Sequence, residues 1–240
     1  MVHTPRMSAA PLQLLKYRDR WTSRCRAIVL GSRRGDWATR SAKRILRAAL
    51  RGLAHGKCVY CESALEVSSY LEVDHYVAKT VACELAFEWT NLLPACQCCN
   101  TAKGQHDHYN ALLKPDDEDP EPYFWVHPDT GKLEPHPRLT DAQAHRARET
   151  IRLCDLQRAA LCTKRAEMLA RVGRWLNQTA QADRITKELR EEWDALSHPG
   201  MEYKFVVRHA LELRGQHVLA EYDRTRFRHS TRYTPVARER

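Results

Sequence analysis

Four cysteines fall into two Cys-x-x-Cys pairs, Cys58 with Cys61 and Cys96 with Cys99, with 34 residues between the pairs. Four thiolates are the donor number of a tetrahedral structural zinc site. The odd total of nine cysteines suits a metal site better than a disulfide framework. The spacer is longer than a zinc ribbon needs, so something is inserted between the two knuckles. The run "CQCCN" offers a second spacing through Cys98; Cys99 is favoured because Cys-x-x-Cys is the common knuckle, and Cys98 stays an alternative ligand. The insert carries "LEVDHYVAK" and "WTNLLP". There Asp74 offers a carboxylate, His75 an imidazole that titrates near neutrality, and Asn91, with Asn100 just beyond, amide oxygens. A metal-dependent hydrolase needs a hard cation on such donors, a base to activate water, and a partner to orient that base. A regular strand points residues 74 and 75 to opposite faces. For both to serve one site, the strand must end or twist after Asp74, and that break is the expectation.

The elements that hold these residues read as follows. Residues 11–30 and 37–54 carry apolar positions at helical spacing, with Gly52 and Gly56 closing the second helix. "SYLEVDHYV" alternates like a strand, "DDEDPEP" is an acidic connector, and "YFWVHPDTGKLEP" reads as two short strands around a turn in which Gly131 suits a positive φ. Thr140 with Gln143 makes a capping box for one long helix, roughly 140–177, with an apolar stripe through Ile151, Leu156, Leu161, Leu169 and Leu176. Further helices are expected near 181–196 and 202–217, separated by His198-Pro199-Gly200. The resulting division is a basic helical segment 1–57, a zinc-bound core 58–114, an acidic loop and hairpin 115–138, a helical region 139–223 and a loosely ordered basic tail 224–240. The fold class is α+β and mostly helical, with a small zinc-stapled core between flanking helices.

The net charge is +9 and its distribution is uneven. Residues 1–57 hold 14 lysines and arginines against 2 aspartates, whereas residues 58–138 are acidic. Basic flanks around an acidic centre suit cationic arms on phosphates and an acidic pocket for a divalent metal, so a nucleic-acid partner is expected. No stretch approaches the roughly 20 apolar residues of a membrane span, and the opening residues lack the apolar run of a signal peptide. A cytoplasmic protein with reduced thiols, and no membrane partner, is expected.

"CVYC", "LEVDHYVAK" and "WTNLLPACQCCNTAK", in that order and spacing over Cys58–Lys103, resemble the HNH endonuclease family, the ββα-metal nucleases, in the variant with four zinc-binding cysteines. The resemblance implies that His75 is the general base and that Asp74 and Asn100 hold a catalytic magnesium or manganese ion. It also implies that Asn91 fixes the loop and the His75 ring, and that Lys103 lies one turn after Asn100, where it can touch a phosphate. Many relatives have His where this chain has Asn100, a neutral and weaker ligand. His106, Asp107 or His108 could add a further one. The arginine-rich start, the hairpin and "ARETIRLCDLQRAALCTKRAEML" look like the HNH subunit of Septu and retron-associated antiphage defence systems, which implies an ABC-type ATPase partner, a higher-order complex and partner-docking surfaces on the C-terminal helices. DNA is the favoured substrate. RNA cleavage, a restriction-type enzyme acting alone, and a zinc module that only binds are the rival readings.

Overall fold

The computed structural model describes residues 1, 3–6, 9–65, 70–105, 109–182 and 185–214, with side chains through 212. Two helices open the chain, α1 (Leu12–Val29) and α2 (Arg40–Leu53). The Thr39 side chain caps α2 by accepting from the Ala42 N–H at 3.2 Å. Ala42, Leu46 and Leu50, four residues apart, are buried, while Arg40, Arg44, Arg47 and Arg51 line the opposite, exposed face. That single-sided burial makes α2 amphipathic and seats it on the strands that follow.

Strand β1 (Leu71–His75) pairs antiparallel with β2 (Leu92–Cys96), from Leu71 opposite Cys96 to His75 opposite Leu92. Every residue of β2 is buried. The chain then turns directly into the seven-residue helix α3 (Gln97–Lys103), whose cap is the Cys96 sulfur accepting from the Cys99 N–H at 3.4 Å. Gly104, at φ 67°, ends α3 in the left-handed region open to glycine. The ββα unit is thereby closed at both ends of its last helix, and it packs against α2 through both strands.

The hairpin forms as expected, from β3 (Phe124–Val126) and β4 (Leu133–Pro135). Gly131 has φ +65°, and a Cβ there would lie 2.0 Å from the carbonyl oxygen of Cys162. Glycine is required by conformation and by space alike. The capping box of Thr140 and Gln143 is complete.

The single helix expected over 140–177 is instead two, α4 (Asp141–Leu153) and α5 (Ala159–Gln181). The apolar stripe carries across the join because Leu156 is fully buried, but Asp155 has φ 46° and the backbone turns there. A continuous stripe is therefore not evidence of continuous helix. The later helices are α6 (Lys187–Ser197), which begins six residues after the expected start, and α7 (Lys204–Arg214). Trp175 of α5 stacks on Trp193 of α6 at 4.9 Å, and α7 packs along α5. The basic tail 224–240 lies outside the described residues. Among those described, no helix is long and apolar enough to cross a membrane.

Candidate active site

The sulfurs of Cys58, Cys61, Cys96 and Cys99 all lie within 4.8 Å of one another, and all four residues are buried. The Cys61 and Cys96 sulfurs are 3.8 Å apart. A tetrahedron with zinc–sulfur arms of about 2.3 Å has edges of about 3.8 Å, the Cys61–Cys96 separation, so the cluster is compatible with zinc. Cys98 is exposed and stands outside the cluster, so Cys99 is the fourth thiol. Burial pushes the Cys58 thiol up, and hydrogen bonding with Cys58, Cys61 and Cys96 pushes Cys99 up; bonds within the same set pull Cys61 well down and Cys96 to about 7. A guanidinium supports the negative charge. Arg158, at the join of α4 and α5, donates to the Cys99 sulfur at 3.5 and 3.6 Å and to Cys96 at 3.8 Å. Nothing local in the sequence marks Arg158, since it reaches the cluster from 59 residues away; the break that splits the long helix is what brings it there.

The strand does not break after Asp74. Regular pairing continues through His75, and the two side chains take separate partners, as alternation in a strand demands. The expected convergence on one ion is thus corrected. Asp74 is buried beside α3: its Oδ2 accepts from the Tyr60 hydroxyl at 2.6 Å, and its Oδ1 is 3.1 Å from the Lys103 ammonium. Burial, then the Asp74 charge, push the Tyr60 phenol well up, so it stays protonated and donating. Lys103 also donates to the backbone oxygens of His75 at 2.8 Å and Tyr76 at 3.4 Å. It is buried and does not face outward toward phosphate as expected. One helical turn earlier, Asn100 donates its side-chain amide to Glu72 Oε2 at 2.6 Å. Glu72 and Asp74 sit two apart on β1, and Asn100 and Lys103 three apart on α3. The strand and helix periods bring the four into one row. Glu72 could have been found by that period-two spacing from Asp74.

His75 faces the other layer. Its Nε2 is 3.0 Å from the Ala86 carbonyl oxygen, and Trp37 meets the imidazole edge-on at 4.7 Å. A carbonyl can only accept, so Nε2 carries the proton and the lone pair is on Nδ1. Burial, together with the positive charge of Lys79, lowers the His75 pKa to about 3 against the opposing pull of the Ala86 carbonyl. The ring is therefore neutral. Trp37 continues through Phe87 to Trp21 and Tyr17, with ring centroids 5.3 to 5.5 Å apart. Lys43 and Lys79 each lie 5.9 Å from the Trp37 ring.

Asn91 ties the loop between the strands to itself. Its Oδ1 accepts from the Val77 N–H at 2.7 Å, and its Nδ2 donates to the carbonyls of Val77 at 3.0 Å and Leu85 at 3.1 Å. One amide therefore clamps the chain just after His75 to the turn just before Ala86. The possible extra ligands His106, Asp107 and His108 lie outside the described residues.

For a catalytic divalent ion, the donors fit in kind. Two carboxylates and the Asn100 amide oxygen form a hard-oxygen set, and the Lys103 ammonium, ringed by Asp74 Oδ1 and two carbonyls, already stands where a cation is favoured.

Residues 58–106 match the family model described as HNH endonuclease. The Septu protein PtuB of Bacillus thuringiensis is 46% identical over 66 residues, 27% of this chain and 26% of that protein. The Septu protein PtuB of Bacillus mycoides (strain KBAB4) is 26% identical over 144 residues, 50% of this chain and 49% of that protein. The chain thus spans about half or less of the length of these curated relatives.

Proposed function

We propose, because residues 58–106 form an HNH endonuclease domain, that the chain hydrolyses phosphodiester bonds in nucleic acid, with DNA the favoured substrate. What supports the reading above all is where the matched residues sit: the HNH match coincides with the four-thiol ββα unit, which carries Asp74 and Asn100 along β1 and α3 and His75 on the other face of β1. In-line displacement at phosphorus has the attacking and leaving oxygens on opposite sides. A base and a cation serving that displacement must both reach one phosphate, so the reading requires the His75 ring and the Asp74 carboxylate to meet a common substrate at the end of β1.

In this mechanism Nδ1 of the neutral His75 takes the proton from water while Ala86 holds Nε2–H. Asn91 keeps the two ends of that loop in register, and Trp37 limits the ring's rotation. Asp74 and Asn100, with Glu72 beside them, would hold magnesium or manganese, which supplies Lewis-acid stabilisation of developing charge at the phosphate. Lys103 neutralises Asp74 when the ion is absent. The exposed arginine face of α2, next to Trp37, holds phosphates and carries no base specificity. The Septu likeness extends the proposal to an effector nuclease of antiphage defence, acting in the cytoplasm in complex with an ABC-type ATPase docked on the C-terminal helices. Cys58, Cys61, Cys96 and Cys99 hold structural zinc throughout.

The test is cleavage of plasmid DNA and of total RNA by the purified chain with magnesium or manganese, with and without its genomic neighbour. His75→Ala is expected to lower the rate about 10²- to 10⁴-fold, the range for loss of a general base, while zinc content is retained. Equal cleavage by wild type and variant overturns the assignment of the base. RNA cleaved in place of DNA replaces the substrate and leaves the site.

A further inference from the structure

Away from the β1–α3 edge, a cavity of about 590 Å³ opens where the end of α2, the first cysteine knuckle and the α6–α7 junction meet. Small-molecule sites run from about 300 to 1,000 Å³, so the space suits a compact organic ligand. One wall is apolar, from Ala49, Leu53, Ala54, Val59 and Pro199. Three cations, Lys57, Lys204 and Arg208, and one carboxylate, Glu62, also line it. Lys57 is buried, and two of its three N–H groups donate to the carbonyl oxygens of Pro199 at 2.9 Å and Met201 at 2.8 Å. Lys204 donates to the Ser197 carbonyl at 3.1 Å.

Among the described residues, no carboxylate lies within ion-pair distance of either ammonium group, whereas Arg208 pairs with Glu121. Glu62, the carboxylate on the wall, is turned instead to the Phe205 N–H at 3.1 Å and the Met1 amino group. A buried ammonium held by carbonyls is a costly arrangement; Glu62 and Glu202 act on Lys57 only through space, which leaves it without a counter-charge in contact. An anion in the cavity would supply it, and an apolar body attached to that anion would cover the Leu53 wall.

We propose that this cavity is a binding site for a small phosphomonoester with an apolar or planar body, of which a nucleoside monophosphate is the representative. Lys57 and Lys204 hold the phosphate, and Ala49, Leu53 and Val59 hold the body. The ligand joins the first cysteine knuckle to α7 and so stabilises the packing of the HNH domain on the C-terminal helices. The site stands independently of the nuclease reading, since its test needs no cleavage.

The test is calorimetric titration of the full zinc-loaded chain with AMP, glycerol 3-phosphate and inorganic phosphate. AMP is expected to bind saturably, tighter than about 1 mM, with inorganic phosphate weaker because it leaves the apolar wall uncovered. Lys204→Ala is expected to weaken AMP about tenfold, the loss of one charge-assisted hydrogen bond. Leu53→Trp, which fills the cavity and leaves the cations in place, is expected to abolish AMP binding, with folding of both variants checked by circular dichroism. No saturable AMP binding, inorganic phosphate as tight as AMP, or unchanged AMP affinity in both variants overturns the proposal.

Discussion

His75 shows how a residue legible in sequence acquires its chemistry only from burial. The Asp-His pair announces an acid and an imidazole, but not that the ring is held neutral against Ala86 and Trp37. Its folded pKa of about 3 lies below the ordinary 6.5, so between those values the unfolded chain binds the extra proton. The stability tied to the neutral ring is complete above pH 6.5 and is lost as pH falls toward 3, by up to about 1.4 kcal/mol per pH unit. His75→Gln removes that titration. Thermal melts from about pH 7 to about pH 4 should show the wild type losing Tm faster than the variant, and parallel losses would contradict it. Lys103 carries the second expectation at this scale. Lys103→Met leaves Asp74 buried with only the Tyr60 hydroxyl, and urea unfolding should show a loss of about 3 to 5 kcal/mol. A loss under about 1 kcal/mol would mean that Asp74 is protonated or solvated instead. The pairing itself was not legible, because a lysine one turn after Asn100 can face either way on a seven-residue helix until the strand beneath it is known.

At the scale of elements, the ββα unit was readable because its markers are covalently close: a knuckle, an alternating strand, a second knuckle opening a helix. The α4–α5 break was not, since Leu156 keeps the apolar period while Asp155 leaves helical geometry. Its consequence is Arg158 on the thiols. If the four cysteines hold zinc, Arg158→Gln should weaken the metal about 10- to 100-fold, the range for loss of an outer hydrogen-bonding partner. Competition with a chromophoric chelator measures this. Cys98→Ser should leave affinity unchanged, while Cys99→Ser should abolish stoichiometric binding and the fold of the unit. Retention of zinc by Cys99→Ser would move the fourth ligand elsewhere.

For the whole molecule, the uneven charge was legible from composition, but the segregation of arginines onto one face of α2 needed the buried face to be fixed by β1 and β2. Nucleic-acid affinity should fall linearly with the logarithm of salt concentration, and replacing Arg40, Arg44, Arg47 and Arg51 with Ala should reduce the slope by about 0.7 to 0.9 for each phosphate that an arginine no longer neutralises. Fluorescence anisotropy over a salt series reads this, and an unchanged slope would move the phosphate track off α2. The expected single-ion convergence failed for a reason visible only with the strands assembled: pairing to Leu92 keeps His75 in the pleat.

That pleat works as a partition wall. Adjacent residues of the covalent chain are furnished from different rooms, one by the short helix carrying Asn100 and Lys103, the other by the aromatic file behind Trp37. If Asp74 and Asn100 hold an ion, a change at Asn100 can therefore retune that ion without touching the imidazole, and a change at Trp37 can retune the imidazole without touching the ion.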